Sequence, residues 1–262
     1  MNIDPYIQGL NKALKIIFLI GIVLFFVSWQ KKDILPDKKD ILIELYQEPV
    51  QTETQVQPFE TKAGSSTYTI SPLYNYELYG LVVSYTNTLS WYNIYNQMSK
   101  DYINTKDVCV IYGDNIQSEV YKLMGFKSDA FMCQPNFKYA SAKEAITKYK
   151  NRCLSNNHLL AANRSINKKI MGLRRGDQIH IKGYLVKYTA GNWNGNWRAS
   201  STARDDYGCE VIFVNDIEIL SRANIFWNLI YIFAKYLIYA CLLGLGIIFF
   251  KPPSYLIKDE NV

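Results

Sequence analysis

The residue types able to do chemistry gather in two stretches. "WNGNWRASSTARDDYGCEVIFV", from Trp193 to Val214, carries Arg198, Ser200, Ser201, Thr202, Arg204, Asp205, Asp206 and Cys209. "CLSNNHLL", from Cys153 to Leu160, holds His158, one of only two histidines in the chain. Nucleophilic catalysis needs a base within hydrogen-bond reach of a thiol or hydroxyl, and a third group to orient that base. His158 has the chemistry of such a base. Its partner would be Cys153, Ser155, Cys209 or a hydroxyl of Ser200, Ser201 or Thr202, with Asp205 or Asp206 orienting it. No glycine-framed nucleophile elbow accompanies these residues. The plainer expectation for "CLSNNHLL" is a polar loop, with Ser155 or Asn157 capping a following helix. His158 and Asp205 therefore stand as catalytic candidates without an assigned reaction.

The first stretch has a stronger reading as a recognition loop. Arg198 and Arg204 can grip a carboxylate or phosphate in bidentate fashion, while Trp193 and Trp197 offer stacking faces. Against this, "RDD" compensates its own charge, as the tip of a hairpin would. Cys209 reads as a staple or core residue rather than a nucleophile. No cysteine pair has the C-x₂₋₄-C spacing of a structural zinc site. No P-loop or G-x-G-x-x-G is present, so no nucleotide cofactor, and no cofactor of any kind, is expected. Arg175-Gly176-Asp177 reads as a turn before a strand, and His180, alternating with Ile179 and Ile181, as a residue of the opposite strand face.

The elements that position these residues are bracketed by two apolar runs. "ALKIIFLIGIVLFFVSW" near the N-terminus and "IFWNLIYIFAKYLIYACLLGLGIIFF", Ile225 to Phe250, each approach or exceed the roughly 20 apolar residues that cross a bilayer. The first lacks a small-x-small cleavage site, which favours an uncleaved anchor over a signal peptide. Lys235 falls one turn inside the second run, where its ammonium can snorkel to the interface beside Tyr231, Tyr236 and Tyr239. The expected organisation is a tail over residues 1–12, a span over 13–30, a polar proline-containing stalk over 31–66, an extramembrane domain over 67–222, a second span over 225–250 and a tail over 251–262.

Lysines and arginines near the two runs do not decide sidedness, so the cysteines carry that argument. Cys109, Cys133, Cys153 and Cys209 all fall in the middle domain, an even number consistent with two disulfides in an oxidising compartment. Cys109, inside the apolar "VCVIY", also fits a buried thiol. The chain has 29 Lys and Arg against 23 Asp and Glu, a net charge of +6. With two spans, the nearest polyanion for its basic residues between Lys138 and Arg175 is the lipid surface rather than nucleic acid.

Within the middle domain, "YTISPLYNYELYGLVVSY" and "KDVCVIYGDNI" read as strands, and "LSWYNIYNQMSKDYI" as a helix through Trp91, Ile94, Tyr95 and Met98. "QSEVYKLMGF" reads as one or two helical turns. "SAKEAITKYKNRCL" reads as a helix with a capping box from Ser141 to Glu144, and "NRSINKKIMGLRRGD" as a helix closed by glycine. "GDQIHIKGYLVKY" and "CEVIFVNDIEIL" are strands joined by the Trp193 stretch, whose glycines and asparagines form turns. The fold class expected is α+β, β-rich toward its C-terminal half.

"G-D-x-I-x-I-x-G-x-L", followed by a hairpin and a strand ending "I-E-I-L", resembles the last strands of an oligonucleotide/oligosaccharide-binding (OB-type) barrel over Arg174 to Leu220. More widely, "YGLVVS", "DVCVIYGDNI", "LSNNHLL", "GDQIHIKGYLV" and "CEVIFV" are similar to a group of uncharacterised bacterial membrane-anchored envelope proteins. That resemblance implies a bacterial inner-membrane protein with an extracytoplasmic domain, and no activity. The expectation is a non-enzymatic binding or interaction module, a subunit of an envelope or defence and immunity assembly. Its partners would be the lipid bilayer and a protein of the membrane or envelope, with oligomerisation open. The alternative is a membrane-anchored, hydrolase-like enzyme using His158 with Cys153 or the Ser200 to Asp206 loop.

Overall fold

The computed structural model describes residues 5–88, 90, 98, 100–129, 132–204, 206 and 208–250. In chain order its elements begin with helix α1 (Pro5–Lys31) and strands β1 (Val50–Glu53), β2 (Phe59–Ala63), β3 (Ser66–Asn87) and β4 (Asn104–Ile111). A short helix α2 (Asp114–Gln117), strands β5 (Met124–Ser128) and β6 (Cys133–Phe137), and helix α3 (Ala142–Lys148) follow. Strand β7 (Leu154–Ala161), helix α4 (Arg164–Met171), strands β8 (Gln178–Ala190), β9 (Arg198–Ala199) and β10 (Glu210–Ser221), and helix α5 (Ile225–Phe250) follow among the described residues.

Two compact units result: Leu35–Ala223, and Met1–Ile34 together with Asn224–Val262. In the second unit, α1 and α5 are 27 and 26 residues long and apolar enough to cross a membrane. They pack through small residues, since a Cβ on Gly21 would lie 3.2 Å from Ile238 and one on Gly244 would lie 3.1 Å from Leu14. Close backbone approach at small residues is the usual way apolar helices associate in lipid. The Phe25 and Tyr231 rings lie 5.0 Å apart, with the Lys32 ammonium 5.1 Å from the Tyr231 ring. Lys235 is exposed and stands 5.9 Å from the Tyr239 ring.

The Leu35–Ala223 unit is α+β and is organised by β3. Twenty-two residues allow that strand to pair antiparallel with β1, β2, β4 and β8 along its length. Strand β4 pairs with β7, β7 with β10, and β10 with β8, so the pairings run β3-β4-β7-β10-β8 and back to β3. Only β7 and β10 are parallel; the other four pairs are antiparallel. One core cluster draws on all five of these strands, through Leu78, Val82, Val108, Val110, Leu159, Ile181, Leu185, Ile212 and Val214. Helix α4 contributes Ile166 and Ile170 to it. Asn163 caps that helix, its side-chain oxygen accepting from the Ile166 N–H at 3.0 Å.

Strand β8 lies close against β10 at Gly183, where a Cβ would lie 2.1 Å from the Phe213 carbonyl oxygen. Any side chain there would force the strands apart. The turn before β8 uses Gly176 at φ 88. Beside it Asp177 accepts from the Arg174 N–H at 2.9 Å and from the Arg222 guanidinium at 3.2 Å.

Four expectations are corrected. Residues 31–66 are not an uninterrupted stalk, because β1 and β2 lie within them and pair with β3. Their polar sequence suits half-exposed edge strands as well as it suits a linker. "LSNNHLL" is strand β7, not a helix-capping loop. Ser141 does not close a capping box; its hydroxyl donates to the Leu123 carbonyl at 2.8 Å. The cysteines form one disulfide, Cys109–Cys133, while Cys153 and Cys209 keep their thiols. Most of the helix expected through Trp91, Ile94 and Tyr95 lies outside the described residues.

The disulfide ties β4 to the β5–β6 hairpin across a sequence separation of 24. A loop of that size restrains the unfolded chain by about 3 kcal/mol. Cys133→Ser is expected to lower the free energy of unfolding in urea by about that amount, and to abolish the effect of added reductant on the same transition.

Candidate functional site

Three strands bring a polar cluster together. On β4, Asp107 is the register partner of His158 on β7, so their side chains leave the sheet on the same face. His158 Nδ1 stands 2.6 Å from Asp107 Oδ1, and both residues are almost fully buried, at 2% and 1% exposure. A carboxylate can only accept, so Nδ1 carries the proton and Nε2 is the nitrogen left to the other neighbours of the ring. Asn104 holds the carboxylate in place, its Nδ2 donating to the same oxygen at 3.0 Å.

The thiol stands one residue before the third strand, β10. In the parallel β7–β10 pair Asn157 is opposite Glu210, which sets Cys209, one residue earlier, beside Asn156. Asn156 Nδ2 donates to Cys209 Sγ at 3.3 Å, and the thiol is hydrogen-bonded to His158. Burial alone would raise the pKa of this thiol. The hydrogen bond and charge of His158, the Asn156 amide and the Arg198 charge outweigh it, leaving Cys209 below the ordinary cysteine value. Burial likewise works against the His158 imidazolium, but its hydrogen bonds with Asp107 and Cys209 prevail and raise its pKa.

Arg198, on β9, closes the cluster from the other side. Its Nη2 lies 2.9 Å from His158 Nε2 and 3.0 Å from Nδ1. A nitrogen at nearly equal distances from both ring nitrogens lies over the face of the imidazole rather than along either lone pair. Arg198 Nη1 is 3.5 Å from Asp101, a buried carboxyl that also accepts from the Tyr188 hydroxyl at 2.6 Å. Burial raises the Asp101 pKa in spite of these two partners. The result is a continuous path of polar contacts, Tyr188–Asp101–Arg198–His158–Asp107, with Cys209 attached at His158.

Of the residues singled out in the sequence, His158, Arg198 and Cys209 come together in this cluster. Arg204 is engaged elsewhere, bonding Glu48 at 2.9 Å and the Pro49 carbonyl. Trp193 packs edge-on against Tyr68, with centroids 6.3 Å apart, and against Tyr188 at 5.3 Å. Trp197 is exposed, with the Lys187 ammonium 5.3 Å from its ring. Cys153 is buried, and burial raises its pKa. The Ser200 hydroxyl donates to the Ser201 carbonyl and accepts from Val211 N–H, and the Ser201 hydroxyl donates to Asp206 at 2.6 Å. Asp205 lies outside the described residues.

Sequence reasoning passed over Asp107, Asp101 and Asn156. The signal for the first was a charged residue opening the otherwise apolar "DVCVIY", a costly residue to bury unless it has a partner. The other two have no comparable signal, because their roles depend on strand register and on the fold of the 191–209 segment. The chain matches no protein-family model, no curated protein and no solved structure.

Proposed function

We propose that this chain is a membrane-tethered binding or interaction module. In this reading its Leu35–Ala223 domain lies outside the cytoplasm of a bacterium, held at the inner membrane by α1 and α5 as part of an envelope or defence assembly. The carrying observation is the disulfide Cys109–Cys133 in a domain bracketed by two helices long enough to span a bilayer. Disulfides persist in oxidising compartments, and two spans put everything between them on one side.

The domain itself is read as an OB-type barrel. Supporting this are the cyclic pairing order, the single parallel pair β7–β10 and the helix α4 between β7 and β8. OB-type barrels bind ligands on the face of their second and third strands and with the neighbouring loops. In this chain those strands are β4 and β7, which carry Asp107 and His158.

Protease added to intact spheroplasts tests the sidedness. Loss of the middle domain with both helices retained is the expected result, and a fully protected domain overturns the extracytoplasmic assignment.

A second reading, a hydrolase-like enzyme using His158, is favoured by the bonding of that histidine to both Asp107 and Cys209. A cell phenotype lost on deleting the 191–208 segment but kept in His158→Gln favours interaction. Loss in His158→Gln at unchanged protein level favours the enzyme.

A further inference from the structure

We propose that Cys209 is an acyl-accepting nucleophile, with His158 as its base and Asp107 as the positioning residue, acting on a thioester or an activated ester. The proposal rests on the enzyme reading above and names its nucleophile and substrate class. Three strands that are distant in sequence converge to build the site. Cys209 precedes β10, His158 lies in β7 and Asp107 in β4. The base is within hydrogen-bond reach of the thiol and is itself fixed by a carboxylate through its other nitrogen, the geometry that activates a nucleophile.

Stability alone gives little reason for this arrangement. A buried charged pair costs desolvation that its mutual attraction barely recovers, and apolar residues of similar volume often do as well or better. Both members here are buried in the middle of a sheet, with a guanidinium added beside them. The thiol differs from them in being only half-buried, so an incoming acyl group can reach it. Asn156 Nδ2, 3.3 Å from Sγ, is a donor for the oxyanion that develops on a carbonyl adjoining the sulfur.

Burial of His158 sets the substrate class. At 2% exposure the imidazole is closed to a leaving group that stands in solvent. An amide nitrogen must be protonated as it departs, whereas a thiolate or an activated phenolate leaves without that help. In the step itself the Cys209 proton passes to His158 Nε2, and Sγ bonds to the acyl carbon. The bond from that carbon to its leaving sulfur or oxygen breaks with the electron pair on the leaving atom. His158 then returns its proton through solvent, so that an acyl-thioester on Cys209 and a free thiol or phenol are the products.

The test uses the full chain in detergent with p-nitrophenyl acetate. A burst of one p-nitrophenol per chain is expected, with the acetyl group located on Cys209 by peptide mass spectrometry. Cys209→Ala should lose the burst and Cys153→Ser should keep it. His158→Gln should slow acetylation about 100-fold at neutral pH, the usual contribution of a base. Asp107→Asn should displace the pH profile of acetylation toward alkaline pH, a change that a loss of packing alone would not produce.

An acetyl group absent from Cys209, or acetylation of His158→Gln at the parent rate, overturns the proposal. Should that variant not fold, the parent decides: a pH midpoint for acetylation at or above that of an ordinary cysteine overturns it equally. Acetyl-Cys209 that accumulates without a second turnover supports the nucleophile, while removing the hydrolase reading in favour of transfer to another acceptor.

Discussion

Arg198→Ala is expected to lower the unfolding free energy of the Leu35–Ala223 domain by roughly 4 kcal/mol, measured by urea denaturation in detergent. The guanidinium is the counter-charge to Asp101 and lies against His158, itself paired with Asp107. Removing one member of a buried charged group leaves the others unpaired in a medium that solvates them poorly. Asp101 limits the loss, because its raised pKa lets it take up a proton once the cation has gone. Asp101→Asn should therefore be milder than Arg198→Ala, and the double variant less destabilised than the sum of the two. Trp197→Ala is the control, since an exposed side chain outside the core should cost about 0.5 kcal/mol or less. An Arg198→Ala cost no larger than that of Trp197→Ala would mean that the side chain is free for a ligand and holds nothing together.

Arg198 also marks where the sequence stops being informative. A pair of arginines beside two tryptophans carries the composition of a recognition loop, but composition does not say where the partner is. For Arg198 the partners are Asp101 and His158, and for Arg204 they are Glu48 and the Pro49 carbonyl. All are supplied by distant parts of the same chain. Cys209 and His158 were each visible as reactive types. Their pairing depends on the parallel register of β7 against β10, which no local pattern encodes.

Strands β8 and β10 were legible because a glycine-marked turn and alternating apolar residues precede or fill them. The terminal helices were legible from length and hydropathy alone. Strand β7 was not, because "SNNH" carries polar residues that look like a loop. In place, Asn157 donates to the Val108 carbonyl at 3.1 Å and to the Ser155 hydroxyl at 2.8 Å, while His158 meets Asp107. Polar residues are tolerated in a buried strand only when neighbouring strands satisfy them, and that satisfaction is tertiary. The edge strands β1 and β2 were missed for the opposite reason, since half-exposed strands keep the polar composition of a linker.

The stability of the domain should fall as pH rises toward 8 and recover above it. Glu210 governs the falling limb. Burial, and then the charges of Cys209 and Asp206, push its pKa from the ordinary 4.5 to about 8, and Oε2 finds no hydrogen-bond partner among the described residues. Between those two values the folded domain holds a proton that the unfolded chain has released. Each pH unit there removes about 1.4 kcal/mol of stability, on the order of 5 kcal/mol across the window. His158 and Asp101, with raised pKa values, act in the same direction, while Cys209, with a lowered one, opposes them as its thiolate forms.

Lys106 governs the recovery. Burial lowers its pKa from 10.5 to about 8, its ammonium donating to the Met171 and Leu173 carbonyls at 3.2 and 2.6 Å. Between about 8 and 10.5 the unfolded chain binds the proton that the folded domain has lost, so stability rises with pH over that range. Glu210→Gln should flatten most of the falling limb and make the domain more stable than the parent at pH 8. Lys106→Met should remove the recovery while leaving the falling limb in place. Urea midpoints measured from about pH 5 to about pH 9 give both slopes, and a parent midpoint that climbs steadily from pH 5 to pH 8 would place the Glu210 carboxylate in contact with water after all.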